Sequence, residues 1–144
     1  MASVLADPAL YTFTGGEPPS AAELRRRYDV QATGRSPDAT ERWLNWIVRR
    51  RAEGDAIGYV QATAGVQPGA AVDVAWVIGT RWQGRGFAGE AAAAMADWLV
   101  ASGFGAITAH IHPDHAASAA VARRIRLEPT GEVEDGERVW RRTA

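Results

Sequence analysis

The chain has 144 residues, with 16 basic side chains, all arginine, against 17 acidic ones, and a formal net charge of −1. This length suits one domain with one core, and the balanced charge argues against a broad electrostatic contact with nucleic acid. Cysteine is absent, which excludes disulfides, thiolate nucleophiles and cysteine-based metal sites. No apolar run has membrane-spanning length and no signal peptide is recognisable, so we expect a single cytoplasmic domain over residues 1–144.

The first half of the chain predicts one helix followed by three strands. Residues 12–19 are dense in glycine and proline and predict a loop. Ser20 and Glu23 have the spacing of a capping box, which predicts a helix over 21–31. Apolar alternation and turn residues then predict strands over 41–51, 56–64 and 71–78.

In the second half the pattern changes from strand to helix periodicity. Strong helix formers predict a helix over 87–102, and an apolar run predicts a strand over 105–111. A further helix is expected over 115–125, with Asp114 as its N-cap. Residues 127–132 and 138–142 predict a hairpin. The expected order is helix, three antiparallel strands, helix, strand, helix and hairpin.

The glycine-bearing turn before the long helix is the most informative segment. The backbone N–H groups of residues 84–88 are expected to face one concavity at the helix N-terminus, where unpaired N–H groups and the helix dipole bind an anion. Gly84 and Gly86 lack a Cβ, so a phosphate can approach closely, and Arg81 and Arg85 add positive charge. A turn that binds nothing is the alternative, and neither a dinucleotide fingerprint nor a P-loop fits the spacing.

Two segments together resemble one enzyme family. Residues 83–88, QGRGFA, fit the Gln/Arg-x-x-Gly-x-Gly/Ala signature of the GNAT superfamily of acetyltransferases, and look most similar to the ribosomal-protein-alanine acetyltransferase branch. Residues 112–132 are similar to that family's H-P-x-N-x-x-S…T-G-E run. The resemblance implies an α/β (α+β) fold with a mixed, mostly antiparallel sheet flanked by helices. The family's first edge strand is expected to be missing.

The same resemblance implies acetyl-CoA as co-substrate, with no metal. Acetyl-CoA would enter where the strands ending at Ile78 and Ile111 splay. The pantetheine would pair along the edge at 77–79, where the Ile78 N–H would polarise the thioester carbonyl. Ser118 would contact the phosphopantetheine arm. Arg123 or Arg124 would reach the adenosine phosphate, with a solvated helix face as the alternative for both. The implied cofactor-binding residues are Val77, Ile78, Gly79, Gln83, Gly84, Arg85, Gly86, Phe87, Ala88, His115, Ser118 and Arg124.

Three positions depart from the family pattern. His115 stands where asparagine is usual, although histidine can still donate a hydrogen bond. Ala122 stands where many members carry a tyrosine that protonates the leaving thiolate. Arg126 replaces a glycine that would adopt a left-handed conformation, so we expect this helix end to be built differently.

The sequence gives fewer signals for the residues that bind the acceptor amine and remove its proton. An amine must lose a proton before it attacks, and Asp73 is the first candidate for the base, followed by His112. Trp43, Trp46 and Tyr59 are expected to be mostly core, with one of them walling the acceptor cleft. The arginines at 25–27 are expected to form a solvated helix face, with contact to an acidic acceptor as the alternative. The resemblance implies that the loop at 12–19 and the helix after it correspond to the family's acceptor-side lid.

The run at 110–115 fits H-x-H-x-D-H, the metal-binding run of metallo-β-lactamase-like hydrolases. That fold needs further ligands far downstream, and no histidine or cysteine follows residue 115. We therefore interpret this match as a coincidence.

Together these features predict transfer of an acetyl group from acetyl-CoA to a primary amine by direct attack in a ternary complex. The acceptor is a small-molecule or peptide amine, and no nucleic acid or membrane partner is expected. A second copy covering the open sheet edge would give a homodimer. The alternatives are a non-catalytic acyl-CoA-binding module and an interaction domain without a cofactor.

Overall fold

The computed structural model describes residues 1–12 and 16–143. The helices are α1 (Ala21–Gln31), α2 (Phe87–Ala101) and α3 (Ala116–Arg124), with short 3₁₀ turns at Pro8–Tyr11 and Thr80–Trp82. The strands are β1 (Glu41–Arg49), β2 (Ala56–Gly65), β3 (Val72–Ile78), β4 (Ala106–Ile111), β5 (Glu128–Glu134) and β6 (Glu137–Thr143). This confirms the predicted order. Part of the loop predicted over 12–19 lies outside the described residues.

The strands form one six-stranded sheet in the order β1-β2-β3-β4-β6-β5, and every neighbouring pair is antiparallel except β3 and β4. The mixed, mostly antiparallel fold is therefore confirmed. Beyond β1, the described residues contribute only an isolated bridge between Arg35 and Arg42, so β1 is an edge strand.

The seam between β3 and β4 is very short. These strands pair only at Val72 with Ile107 and at Asp73 with Thr108, and the rest of each strand has no ladder with the other. The sheet therefore splits after Asp73, which confirms the predicted splay between the strands that end at Ile78 and Ile111. Polar backbone groups that line this gap remain available to a ligand.

The main core lies between the sheet and the α2–α3 pair. Alternate residues of β2 and β3 point toward α2, and Leu99 on that helix has 0% of its surface exposed. A second cluster packs Leu24 of α1 against Leu5, Ile57 and Trp82. These two clusters anchor α1 and α2 and so fix the surroundings of the gap.

In the described part of the chain, no helix is both long and apolar enough to cross a membrane.

Helix ends show one confirmed and one incorrect prediction. The Ser20 side chain accepts from the Glu23 N–H and the Glu23 side chain accepts from the Ser20 N–H, so the capping box is formed. The predicted N-cap of α3 is wrong, because His115 occupies that position and makes no side-chain cap bond. Asp114 instead donates its backbone N–H to Nδ1 of His112 at 3.1 Å.

The end of α3 overturns a second expectation. Arg126 adopts the left-handed conformation itself, with φ of 66°. Its N–H donates to the Arg123 carbonyl, and the Leu127 N–H donates to the Ala122 carbonyl, which is the Schellman pattern. The helix end is therefore built in the usual way around an arginine, at a conformational cost that glycine would avoid.

Candidate active site

The turn before α2 has the geometry of an anion-binding loop. Gly84 and Gly86 have φ of 75° and 83°, while Arg85 between them is not in that region. Alternation of this kind turns successive N–H groups toward one side of the chain. No N–H from residue 84 to residue 88 donates to another described residue, and residues 84–86 are exposed. The loop therefore presents consecutive unpartnered donors at a helix N-terminus, which fits a diphosphate.

Arg124 supplies a side-chain cation beside this loop. A Cβ placed on Gly89, in the first turn of α2, would lie 2.8 Å from Cδ and 3.0 Å from an Nη of Arg124. The absence of a side chain at Gly89 thus lets Arg124 cross α2 near its positive end. Arg123 lies over the Trp140 ring at 5.2 Å, so Arg124 is the better placed of the two predicted arginines. No motif in the sequence marks Gly89 for this role.

The gap between β3 and β4 is lined by backbone amides of alternate residues. The Gly79 N–H donates to the Ile57 carbonyl at 2.7 Å, so Gly79 and Val77 face β2. Alternation then directs the N–H groups of Trp76 and Ile78 into the gap. The expected pairing along 77–79 therefore needs correction: Ile78 is suitably directed, Val77 and Gly79 are not, and Trp76 was missed.

Gln83 braces the turn that leads out of β3. Its Nε2 donates to the Ile78 carbonyl at 3.0 Å, and its backbone N–H donates to the Thr80 carbonyl. Gln83 therefore holds the end of β3 against the anion-binding loop. Arg81 stacks on Trp82 at 4.9 Å from the ring centre, whereas the Arg85 side chain is exposed beside the loop.

The start of α3 follows β4, the strand on the other side of the gap. His115 Nε2 and Ser118 Oγ lie 3.3 Å apart, so two of the predicted phosphopantetheine contacts are brought together. Burial, followed by the nearby charge of His112, lowers the pKa of His115 below its usual value, which favours the neutral imidazole. Ala122, at the position of the family's tyrosine, is fully buried in the core.

A carboxylate–imidazole–carboxylate cluster lies on the face of the sheet that carries Asp73. His110 Nδ1 is 2.9 Å from Asp73 Oδ1, and His110 Nε2 is 2.9 Å from Glu134 Oε2. Thr108 Oγ1 also donates to Asp73 Oδ1, at 3.1 Å. Because both ring nitrogens meet carboxylate oxygens, this geometry is that of the protonated imidazolium. We call Asp73, His110 and Glu134 the histidine cluster.

The cluster changes the proton affinity of its histidine. Burial alone would lower the pKa of His110, but the hydrogen bond to Glu134 and the charge and hydrogen bond of Asp73 together raise it. The side chain of Glu134 is 62% exposed and that of His110 is 29% exposed. Glu134 is thus more exposed than Asp73, whose side chain is 49% exposed, so Glu134 can leave the imidazole more easily and expose Nε2 to an incoming group.

His112, the second candidate for the base, lies elsewhere. It follows β4, and its Nδ1 contacts the backbone and carboxylate of Asp114. The structure thus joins Asp73 to His110, which was not among the expected catalytic residues. Knowledge of the β3–β4 register would have revealed this pairing, because His110 lies two residues beyond Thr108 on the same face. Among the described residues, no group of three or more His, Asp or Glu side chains is arranged to hold a metal ion.

The aromatic residues divide between core and cleft. Trp46 packs on the main core and meets Trp98 edge-on at 5.5 Å between ring centres. Trp43 and Tyr59 line a cavity of about 770 Å³ between α1 and the sheet. Tyr59 also packs against the second core cluster, and Trp46 also lines this cavity. Two of the three therefore contact a core cluster, as predicted, and all three contribute to the wall of the cavity.

Comparison with known proteins agrees with this geometry. The model of the acetyltransferase (GNAT) domain family matches residues 1–128. No curated protein sequence matches the chain significantly.

Solved structures extend the match to nearly the whole chain. An acetyltransferase from Agrobacterium tumefaciens str. C58 shares 25% identity and a TM-score of 0.70, over 98% of this chain and 81% of that one. A GNAT-family acetyltransferase from Bacillus anthracis shares 16% identity and a TM-score of 0.76, over 99% and 86%. The aminoglycoside acetyltransferase AAC(6')-Ib in complex with coenzyme A shares 16% identity and a TM-score of 0.75, over 99% and 86%.

The family model covers most of the chain, and the splayed sheet and anion-binding loop lie within the matched residues. The chain belongs to the GNAT family and is a CoA-dependent N-acetyltransferase.

Proposed function

We propose that the chain binds acetyl-CoA between β3 and β4 and transfers its acetyl group directly to a primary amine held on the opposite face of the gap, with His110 as the proton acceptor. The observation that carries this proposal is the histidine cluster, which lies where the two strands separate. Acetyl-CoA supplies the activated acyl group as a thioester.

The phosphate end of the site is proposed at the loop 84–88. The unpartnered N–H groups of this loop would bind the diphosphate, with the Arg124 guanidinium beside them. Arg85 lies exposed on the same loop and Ser118 at the start of α3. These groups would bind the charged end of the cofactor and hold it in position. They would take no direct part in breaking the thioester bond.

The reactive end is proposed near the closed end of the gap. The N–H groups of Trp76 and Ile78 are directed into it, and Trp76 lies nearer to the point at which β3 and β4 meet. A fixed N–H donor facing a carbonyl oxygen stabilises the negative charge that develops on it. Trp76 is therefore proposed as the main donor, with Ile78 as the second.

His110 is proposed to take the proton that the amine must lose. An alkylamine is mostly protonated at neutral pH, so a base close to the nitrogen increases the reactive fraction. Asp73, itself held by the Thr108 hydroxyl, orients the imidazole through Nδ1. Once Nε2 has lost its proton to solvent, movement of Glu134 leaves this nitrogen open to accept the proton of the amine. The charge and hydrogen bond of Asp73, which stay in place when Glu134 moves, act to raise the pKa of His110 and so strengthen its neutral imidazole as a base.

Direct transfer is proposed because the chain has no cysteine to carry the acyl group.

We propose that residues 1–144 form one catalytic domain that acts in the cytoplasm. We further propose that it belongs to the branch of ribosomal-protein-alanine acetyltransferases, which acetylate peptide N-termini. The outer side of β1 beyond Arg42 is an open edge, and we propose that a second copy covers it in a homodimer. Light scattering measures the mass that tests this last point.

The test of the mechanism is His110→Gln, compared with His112→Gln. Loss of a positioned base costs about 10²- to 10⁴-fold in rate, so we expect kcat to fall by that amount in His110→Gln, with CoA affinity retained. His112→Gln should reduce kcat at least tenfold less. Steady-state kinetics and CoA titration provide both measurements. Equal losses in the two variants, or a larger loss in His112→Gln, would contradict the role of His110.

A further inference from the structure

The face of the sheet beside the histidine cluster carries an open groove that the proposed chemistry does not use. Two cavities of about 770 and 520 Å³ lie between α1 and strands β1 and β2. They share Arg27, Gln31, Trp43, Asn45 and Gln61 in their walls, so they form one continuous surface. We call this surface the acceptor groove.

The groove has a positive end. Arg26 and Arg27, on α1, both line it, and its lining residues include no aspartate or glutamate. Among the described residues, neither arginine forms an ion pair with a carboxylate, and both are exposed. The charge of Arg27 also opposes the rise that burial causes in the pKa of Tyr59. Both guanidinium groups are therefore free to bind an anion.

The nearest carboxylates lie at other positions. Glu41 accepts a hydrogen bond from Trp43 Nε1 at 3.2 Å, so it is already engaged with the wall. Asp73 is the strand partner of Thr63, which lines the smaller cavity. The groove thus runs from a pair of cations toward the carboxylate that holds His110.

Strand spacing gives the distance from the part of the groove over Thr63 to the histidine cluster. Neighbouring strands are about 5 Å apart, so Asp73 is about 5 Å and His110 about 10 Å from this part of the groove. A ligand that reaches from there to His110 must therefore span roughly 10 Å. Free α-amino acids are too short, whereas a short extended peptide, at about 3.3 Å per residue, is long enough.

We propose that the acceptor is an amine that also bears a carboxylate, held by Arg26 and Arg27 while its amino group reaches His110. This rests on the proposed function and adds the chemical class of its acceptor. Planar guanidinium groups match carboxylates in shape as well as charge. Polycationic amines are disfavoured by the same two arginines, in contrast to kanamycin, which is found in a complex of AAC(6')-Ib.

The test compares triglycine with triglycine amide. The two peptides have the same amino group and nearly the same length, and they differ in one negative charge. We expect kcat/KM to be about tenfold higher for the free acid at low salt, since each exposed arginine contributes a factor of roughly 2 to 5. The preference should fall toward one in 0.5 M salt because the contacts are exposed.

Variants on α1 test whether Arg26 and Arg27 cause the preference for the free acid over the amide. Arg26→Gln and Arg27→Gln should each lower the acid-to-amide ratio severalfold, and the double variant should abolish it. Arg25→Gln is the matched control, because Arg25 is on the same helix but lines neither cavity. All three positions are exposed, so folding should be unaffected.

A binding measurement separates this inference from the proposed function. Quenching of tryptophan fluorescence reports peptide binding, since Trp43 lines the groove. If the free acid binds more tightly than the amide and Arg26→Gln removes the difference, the inference stands even when no acetyl transfer occurs. Equal binding and turnover of acid and amide, or a preference for kanamycin, would overturn it while leaving acetyl transfer intact.

Discussion

The anion-binding loop and the acceptor groove differ in how far apart their functional groups lie in the chain. The loop uses consecutive backbone N–H groups from residues 84–88, fixed by two glycines and the start of α2. The groove and the histidine cluster combine side chains from α1 and from strands that are up to a hundred residues apart in sequence. One site therefore depends on local conformation, and the other depends on tertiary packing.

The difference determines how each site should respond to substitution. A change of backbone preference in the loop acts on every donor at once, because the N–H groups share one conformation. A change in the groove or the cluster removes one contact and leaves the others in place.

Substitution of a loop glycine should abolish most of the cofactor affinity. Gly86→Ala places a Cβ on a residue with φ of 83°, which costs roughly 1–2 kcal/mol if the conformation is kept and moves the donors if it is not. We expect CoA affinity to fall about 30-fold or more, which is equivalent to ~2 kcal/mol. Isothermal titration with CoA measures it.

Gly103→Ala is the matched control for that loop variant. Gly103 follows α2 with φ of 87°, and a Cβ there also meets no atom within 4 Å. Both variants should lose similar stability, yet only Gly86→Ala should lose CoA affinity. Equal affinity losses would mean that destabilisation, not the loop conformation, weakens binding.

Removal of the close approach between Gly89 and Arg124 should have a smaller effect. Gly89→Ala forces the Arg124 side chain to move, so it should weaken CoA binding about 5- to 10-fold, as should Arg124→Gln, through loss of one charged contact. The double variant should be no weaker than either single one. Additive losses in titration experiments would show that Gly89 acts independently of Arg124.

The pH dependence of turnover should reveal the histidine cluster. Contacts with Glu134 and Asp73 raise the pKa of His110, and the base must be unprotonated, so kcat/KM should rise as pH increases through that raised value. In Asp73→Asn the charge is lost, and the rising limb should move to lower pH. Asp114→Asn, which alters the surroundings of His112, should leave the limb in place.

The free energy of unfolding should also depend on the protonation of His110 and should decrease as pH rises. The protonated His110 stabilises the folded state, fully so below the pKa of an unfolded histidine, and this contribution is lost as pH rises through the folded value. Denaturation of Asp73→Asn at several pH values should show a weaker dependence. An unchanged dependence would exclude the pairing of Asp73 with His110.

The smallest expected effect lies away from both sites. Arg126 has φ of 66° at the end of α3, and glycine adopts this conformation without strain. Arg126→Gly should therefore raise the free energy of unfolding by about 1 kcal/mol, and activity should be unchanged. Urea denaturation measures the gain. A loss of stability would show that a contact of the Arg126 side chain stabilises the fold by more than the backbone strain destabilises it.

The sequence predicted the elements and the anion-binding loop because both depend on neighbouring residues. Capping by Ser20, the glycine turn and the strand alternation are local signals. Tertiary relations were missed: which strand residues face the gap, the approach of Arg124 to Gly89, and the pairing of His110 with Asp73. The conformation of Arg126 was predicted wrongly because arginine disfavours a positive φ, and the Schellman hydrogen bonds overcome that preference here.

The two-residue seam between β3 and β4 has a consequence for how this enzyme acquires its activity. Asp73 comes from the half of the sheet formed by β1 to β3, while His110 and Glu134 come from the half formed by β4 to β6. Neither half contains all three members of the histidine cluster. The proton acceptor therefore gains the full rise in its pKa only when the amino-terminal and carboxy-terminal halves have docked, and recovery of full activity during refolding reports that docking.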